Sequence, residues 1–113
     1  MKMESEVLDN GITMVTLEGR LDVEGAGAID VPFTSLTASK QANILVDMAN
    51  VSFIASIGMR TLLSAAKAQD HRGGRMVLAN TQSLVNEALT TAGINTLIPM
   101  HDSTDAAVAD LLG

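Results

Sequence analysis

The sequence predicts an α/β protein on one largely parallel sheet. Three observations carry this. Short apolar runs alternate with stretches of helical period, which is the pattern of strands joined by crossover helices. Two of those runs, Ile44-Leu45-Val46 and Met76–Ala79, are almost unbroken, as in strands buried on both faces. Asn10-Gly11 near the start is a two-residue hairpin signal, since both turn positions favour positive φ. The expected order is ββαβαβαβα in a single domain over residues 1–113.

The elements follow in turn. A weak first strand lies near residues 4–8, and a second at Ile12–Glu18 is ended by Gly19-Arg20-Leu21-Asp22. Asp22 is placed to cap a helix over residues 24–39, whose stripe is Ile29, Phe33 and Leu36. Gly25, Gly27 and Pro32 weaken that helix, so it is expected to be bent or interrupted. Asn43–Met48 reads as a central strand and Asn50 to Ala55 as a loop. The clearest helix follows, with Met59, Leu62, Leu63 and Ala66 at i, i+3, i+4 and i+7. Ser56 is its expected N-cap and Gly73-Gly74 its stop. After the Met76–Ala79 strand comes a helix with the stripe Leu84, Val85, Ala88, Leu89 and Ala92, closed by Gly93. Thr96–Met100 reads as a last strand, and Asp102-Ser103 caps a final helix with Val108, Leu111 and Leu112 as its apolar face.

Composition narrows the function. The chain has 113 residues, 47% of them apolar and 18% charged, which is globular in character. It has no cysteine, so disulfides, thiolate metal sites and a cysteine nucleophile are excluded. Thirteen acidic residues against seven basic ones leave a net charge of −6, with the bases scattered. Such a surface repels phosphate backbones, so no nucleic acid partner is expected. Only Phe33 and Phe53 are aromatic, which leaves few stacking platforms for bases or sugars. The start, Met1-Lys2-Met3-Glu4-Ser5-Glu6, lacks signal-peptide character, and no run is long and apolar enough for a span. A soluble, cytoplasmic protein without membrane insertion is the expectation.

Conventional catalysts are scarce. His71 sits in a helix's last turn, where the dipole favours a cation, and His101 has no HxH or HxxxH partner. No GxSxG elbow, P-loop or complete dinucleotide loop is present. No cofactor and no metal is expected. What remains is geometric: in an open parallel sheet, sites collect at the carboxyl ends of the strands. Here those loops hold Asp47–Ser56 and Asn80-Thr81, with Gly19–Asp22 nearby. Ser56 reads either as a helix N-cap or as a phosphorylation site, where a phosphate would meet unpaired N–H groups.

Three segments stand out together: Gly19-Arg20-Leu21-Asp22, Leu45-Val46-Asp47-Met48-Ala49-Asn50-Val51-Ser52-Phe53-Ile54 and Ala55-Ser56-Ile57-Gly58-Met59-Arg60. In that order and spacing they resemble the STAS domain, in particular the stand-alone bacterial anti-sigma-factor antagonists. The first looks like that family's G-x-[LI]-D, the second like its central strand and following loop, and the third takes the place of its D-S-[ST]-G-[LIV] helix start. The resemblance implies a mixed, mostly parallel sheet with helices mainly on one face, and a binding protein in place of an enzyme. It implies that the unphosphorylated form binds an anti-sigma factor that is itself a serine protein kinase, with a serine phosphatase acting on the phospho-form. The phosphoacceptor falls on Ser56 and the nearby aspartate on Asp22. Ala55, Ile57, Gly58, Met59 and Arg60 fall on the partner-binding surface. The chain departs from the pattern at Ala55, where the family usually has an acid, and at Ile57, where it has Ser or Thr.

Within that surface, Gly58 reads either as an opening for a partner's backbone or as tight packing on the sheet. Met59 lies on the core stripe but could also serve as a contact. A monomer or weak dimer is expected. The alternative function is a STAS subunit that is never phosphorylated, as in a lipid-transport ABC system or a stress-signalling assembly.

Overall fold

The computed structural model describes all residues, Met1–Gly113. Its five strands are β1 (Lys2–Val7), β2 (Thr13–Leu21), β3 (Asn43–Ile54), β4 (Arg75–Ala79) and β5 (Met100–His101). The helices are α1 (Val23–Ala38), α2 (Ser56–Arg72), α3 (Ser83–Thr91) and α4 (Thr104–Leu112). One sheet in the order β1-β2-β3-β4-β5 holds all the strands, with β1 antiparallel to β2 and every other pair parallel. The mixed, mostly parallel sheet agrees with the sequence reading.

Two cores sit on its two faces. The larger joins Val15, Leu17, Ile44, Val46 and Leu78 of the strands to residues of α1, α2 and α3, including Ile29, Phe33, Leu62, Val85 and Leu89. The smaller places Ala107 and Leu111 of α4 against Ile12, Leu45, Val77 and Ala79. Three helices thus cover one face and one covers the other. β3 and β4 bury side chains on both faces, which explains their unbroken apolar runs.

Several sequence expectations need correction. The β1–β2 connection is a three-residue loop, not a two-residue one. Gly11 N–H donates to Leu8 O at 2.9 Å and Leu8 N–H to Ile12 O at 2.8 Å. Only Gly11 takes positive φ, at 87°, while Asn10 does not. Such a loop is a turn closed by a left-handed glycine.

β2 does not stop at Gly19 but continues to Leu21, and β3 runs through the expected loop to Ile54. Their pairing slips between Thr16 and Glu18 and again between Gly19 and Arg20, each time leaving an extra residue on β3. These bulges place Ala49 and Asn50 side by side in solvent, so strict alternation is lost and the segment looks like a loop.

α1 is one uninterrupted helix despite Pro32. Pro32 and Ala28 are both exposed, so the Ala28 carbonyl left without its N–H partner faces water. Thr96–Met100 is not a strand. Ile94–Thr96 forms a short 3₁₀ turn, and only Met100–His101 pairs. Leu84, Ala92 and Leu112 are exposed rather than part of their helices' buried stripes.

Polar side chains fasten the elements. Gln69 is fully buried in α2, where its Nε2 donates to the carbonyls of Thr37 and Lys40 and its Oε1 accepts from Ala42 N–H at 2.8 Å. At the other end of the sheet, Asn80 holds φ of 63° and donates to Asp47 Oδ1 and Thr104 Oγ1, tying α4 to β3 and β4. Arg75 and His101 both contact the Asp110 carboxylate, at 3.1 and 2.9 Å.

Candidate functional site at the carboxyl end of β2 and β3

The extended pairing of β2 with β3 brings two chain segments to one edge. Leu21 lies opposite Ile54, and the Leu21 carbonyl accepts from Ala55 N–H at 3.0 Å. Asp22 and Ser56 therefore each stand just past this junction, one opening α1 and the other α2.

Asp22 is the N-cap of α1. Its Oδ1 accepts from Gly25 N–H at 2.9 Å, and its Oδ2 lies 3.5 Å from Arg20 Nε. The Gly25 N–H bond, with Arg20 beside it, holds the Asp22 carboxyl below its ordinary value. Arg20 also lies over the Phe53 ring, 4.3 Å from its centroid, so its charge is shared between a carboxylate and an aromatic face.

The N-cap reading of Ser56 is corrected. Ala55 is the N-cap, in extended conformation and without a side-chain bond, and the first helical hydrogen bond runs from Met59 N–H to Ala55 O. Ser56 is the first residue inside the helix. It is exposed, and its hydroxyl has no hydrogen-bond partner within the chain. At this position the first N–H groups of the helix are free of helical partners and the dipole's positive end is near.

The other residues singled out divide by exposure. Ile57 and Arg60 are exposed, Ala55 and Met59 half-buried, and Gly58 buried. Met59 packs against the larger core. A Cβ on Gly58 would fall 2.5 Å from the Leu21 carbonyl oxygen and 2.6 Å from Leu21 Cγ. Packing on the end of β2 thus accounts for this glycine without a partner.

A groove of about 200 Å³ runs between α1 and α2, with Ile57, Arg60 and Ser64 on one wall and Asp30 and Thr34 on the other. Neither Asp30 nor Arg60 is in an ion pair. The α1 wall was missed in the sequence reading. Its only signal was that Asp30 and Thr34 flank the apolar stripe at Phe33. A hollow of about 300 Å³ lies further along α2, against Met76 and Pro99.

Residues 5–107 match the STAS domain model. The chain belongs to the STAS domain family. Among its relatives is BtrV of Bordetella bronchiseptica, described as a candidate anti-sigma factor antagonist. BtrV is 24% identical over 109 residues, which is 96% of this chain and 93% of that protein. The crystal structure of an anti-sigma factor antagonist from Mycobacterium paratuberculosis superposes with a TM-score of 0.89 at 18% identity, covering 99% of this chain and 94% of that one. The Bacillus cell fate determinant SpoIIAA in its phosphorylated form superposes with a TM-score of 0.70 at 18% identity, covering 96% and 98%. These structures share the STAS fold with this chain. No helix here is long and apolar enough to cross a membrane.

Proposed function

We propose that this STAS domain is an anti-sigma-factor antagonist whose binding to an anti-sigma factor is controlled by phosphorylation of Ser56. One observation carries the reading: an exposed serine hydroxyl without a partner in the chain, on the first turn of α2 at the sheet's carboxyl edge. Because Ala55 takes the cap position, capping does not account for the serine. The names borne by relatives that match over nearly the whole chain support the same reading.

The mechanism follows from charge. A phosphate on Ser56 brings about −1.5 to −2 units of charge to the partner face. The helix N-terminus stabilises it, so the antagonist's own fold tolerates the modification. A docked partner would have to desolvate that charge or be repelled by Asp22 and the phosphate together. The partner is an anti-sigma factor acting as the serine kinase, and a serine phosphatase restores the binding form. Ile57 and Arg60 make the direct contacts, while Asp22, Ala55, Gly58 and Met59 hold the surface in place. The chain acts by binding and needs no cofactor.

Ala55 favours a second reading, because no carboxylate adjoins Ser56 in the sequence: a STAS subunit that binds its partner constitutively. Intact mass and site mapping of the protein from its native cells, under growth and under stress, separate the two. The first reading expects one phosphate that varies with condition and is absent from Ser56→Ala. No phosphate under any condition overturns it in favour of the second.

A further inference from the structure

Asn10-Gly11 is the chain's one Asn-Gly dipeptide. It forms the exposed tip of the β1–β2 hairpin, and nothing lies within 4 Å of where a Gly11 Cβ would be. Asn10 and Gly11 are both exposed, and the glycine has no side chain to hinder approach to the Asn10 amide.

The chemistry of this pair is self-contained. The Gly11 nitrogen loses its proton to solvent base and bonds to Asn10 Cγ. The Cγ–Nδ2 bond breaks and ammonia leaves, closing a succinimide. Water then opens the ring. Cleavage at Cγ yields aspartate. Cleavage at the backbone carbonyl yields isoaspartate, whose main chain runs through Cβ and Cγ and is one atom longer. The net exchange is one water taken up and one ammonia released.

The folded turn restrains both reacting groups. Gly11 N–H donates to Leu8 O at 2.9 Å, which occupies the nitrogen that must attack. Asn10 Oδ1 accepts from Ile12 N–H at 3.1 Å, which holds the carbonyl that must be attacked. We infer that Asn10 is a site of spontaneous deamidation gated by opening of the β1–β2 turn, and that its isoaspartate product frees the edge strand. A three-residue loop with an added backbone atom cannot restore the Leu8–Ile12 pairing. Beyond its ladder of six residue pairs with β2, β1 has few side-chain contacts to hold it, since Lys2 and residues 4–7 are exposed and only Met3 packs against the core. Its release would bare the β2 edge as a template for another strand.

The test uses the full chain, incubated at mildly alkaline pH with and without urea and then peptide-mapped. Isoaspartate should accumulate at Asn10 ahead of every other asparagine, and at least about tenfold faster in urea, because two hydrogen bonds must open in the native turn. Equal rates in both conditions, or no product at Asn10 in either, overturn the inference. Aged protein is then compared with Asn10→Asp by hydrogen exchange. The aged protein should lose protection across β1 while Asn10→Asp, which keeps the normal backbone, retains it. Equal protection in the two overturns the structural consequence.

Discussion

Replacing Gly58 by alanine sets two effects of opposite sign against each other. In an unobstructed helix interior, Gly→Ala stabilises by up to about 1 kcal/mol. Here the new Cβ would lie 2.5 Å from the Leu21 carbonyl oxygen and 3.1 Å from Ile54 Cγ1. The obstacle is backbone, and the same carbonyl accepts the Ala55 N–H bond that joins β2 to the start of α2. It cannot move aside without loosening that junction. Overpacking costs about 1–3 kcal/mol, and a backbone obstacle this close puts the cost at about 2–3, so after the helix gain the net effect is a destabilisation of about 1–2 kcal/mol. For a chain of this length that lowers the melting temperature by roughly 4–8 °C. Thermal and urea unfolding followed by far-UV circular dichroism would measure it, as there is no Trp or Tyr to report by fluorescence. Gly27→Ala is the internal control. Gly27 is exposed in the middle of α1 with nothing within 4 Å of its Cβ position, so alanine there should stabilise by about 0.5–1 kcal/mol. A Gly58→Ala melting temperature equal to or above wild type would refute the packing argument.

Other perturbations test the remaining contacts. Gln69→Leu removes the bonds to Thr37, Lys40 and Ala42 and leaves buried backbone groups unpaired, so urea unfolding should show a loss of about 3 kcal/mol. Asp22→Ala removes the α1 cap and should cost about 1 kcal/mol by the same assay, whereas Ser56→Ala, which removes no cap, should cost less than about 0.5 kcal/mol. Arg75, and then His101, hold the Asp110 carboxyl below its ordinary value of 3.8. A carboxylate depressed by folding contributes stability that is present above the unfolded value and lost as pH falls through the folded one. Asp110→Asn should therefore be less stable than wild type at neutral pH, with the gap closing below pH 3.8 in an acid unfolding series. Ser56→Asp places an anion on the first turn of α2 and should leave the melting temperature unchanged or slightly raised; a marked drop would show that the position does not tolerate charge.

How far the site was legible in the sequence depended on the range of each interaction. Asp22 was readable as a cap because its acceptor role spans three residues, to Gly25. Ser56 was misread by one position. Where α2 begins depends on where β3 ends, and that is decided by the bond from Ala55 N–H to a carbonyl on β2. The predicted loop at Asn50 to Ala55 failed for a related reason. Its polar, non-alternating residues belong to a bulged strand, and the bulges exist only in its register with β2. Gln69 carries no signal in the sequence, since nothing near it in the chain shows that three groups around the α1–β3 connection converge on it.

The alternation of strands and helices, the buried character of β3 and β4, the cap of α1, and the glycine stops at Gly73 and Gly93 are all legible in the residues. These rest on side-chain period, on capping within a few residues, and on backbone freedom, all of which are local. The tertiary structure decided how far β2 and β3 run, that α1 stays whole through Pro32, that Gly58 faces Leu21, and that Ile57 and Arg60 share a groove with Asp30. Those outcomes depend on which distant segments meet and which faces they leave to water, and no local pattern encodes that.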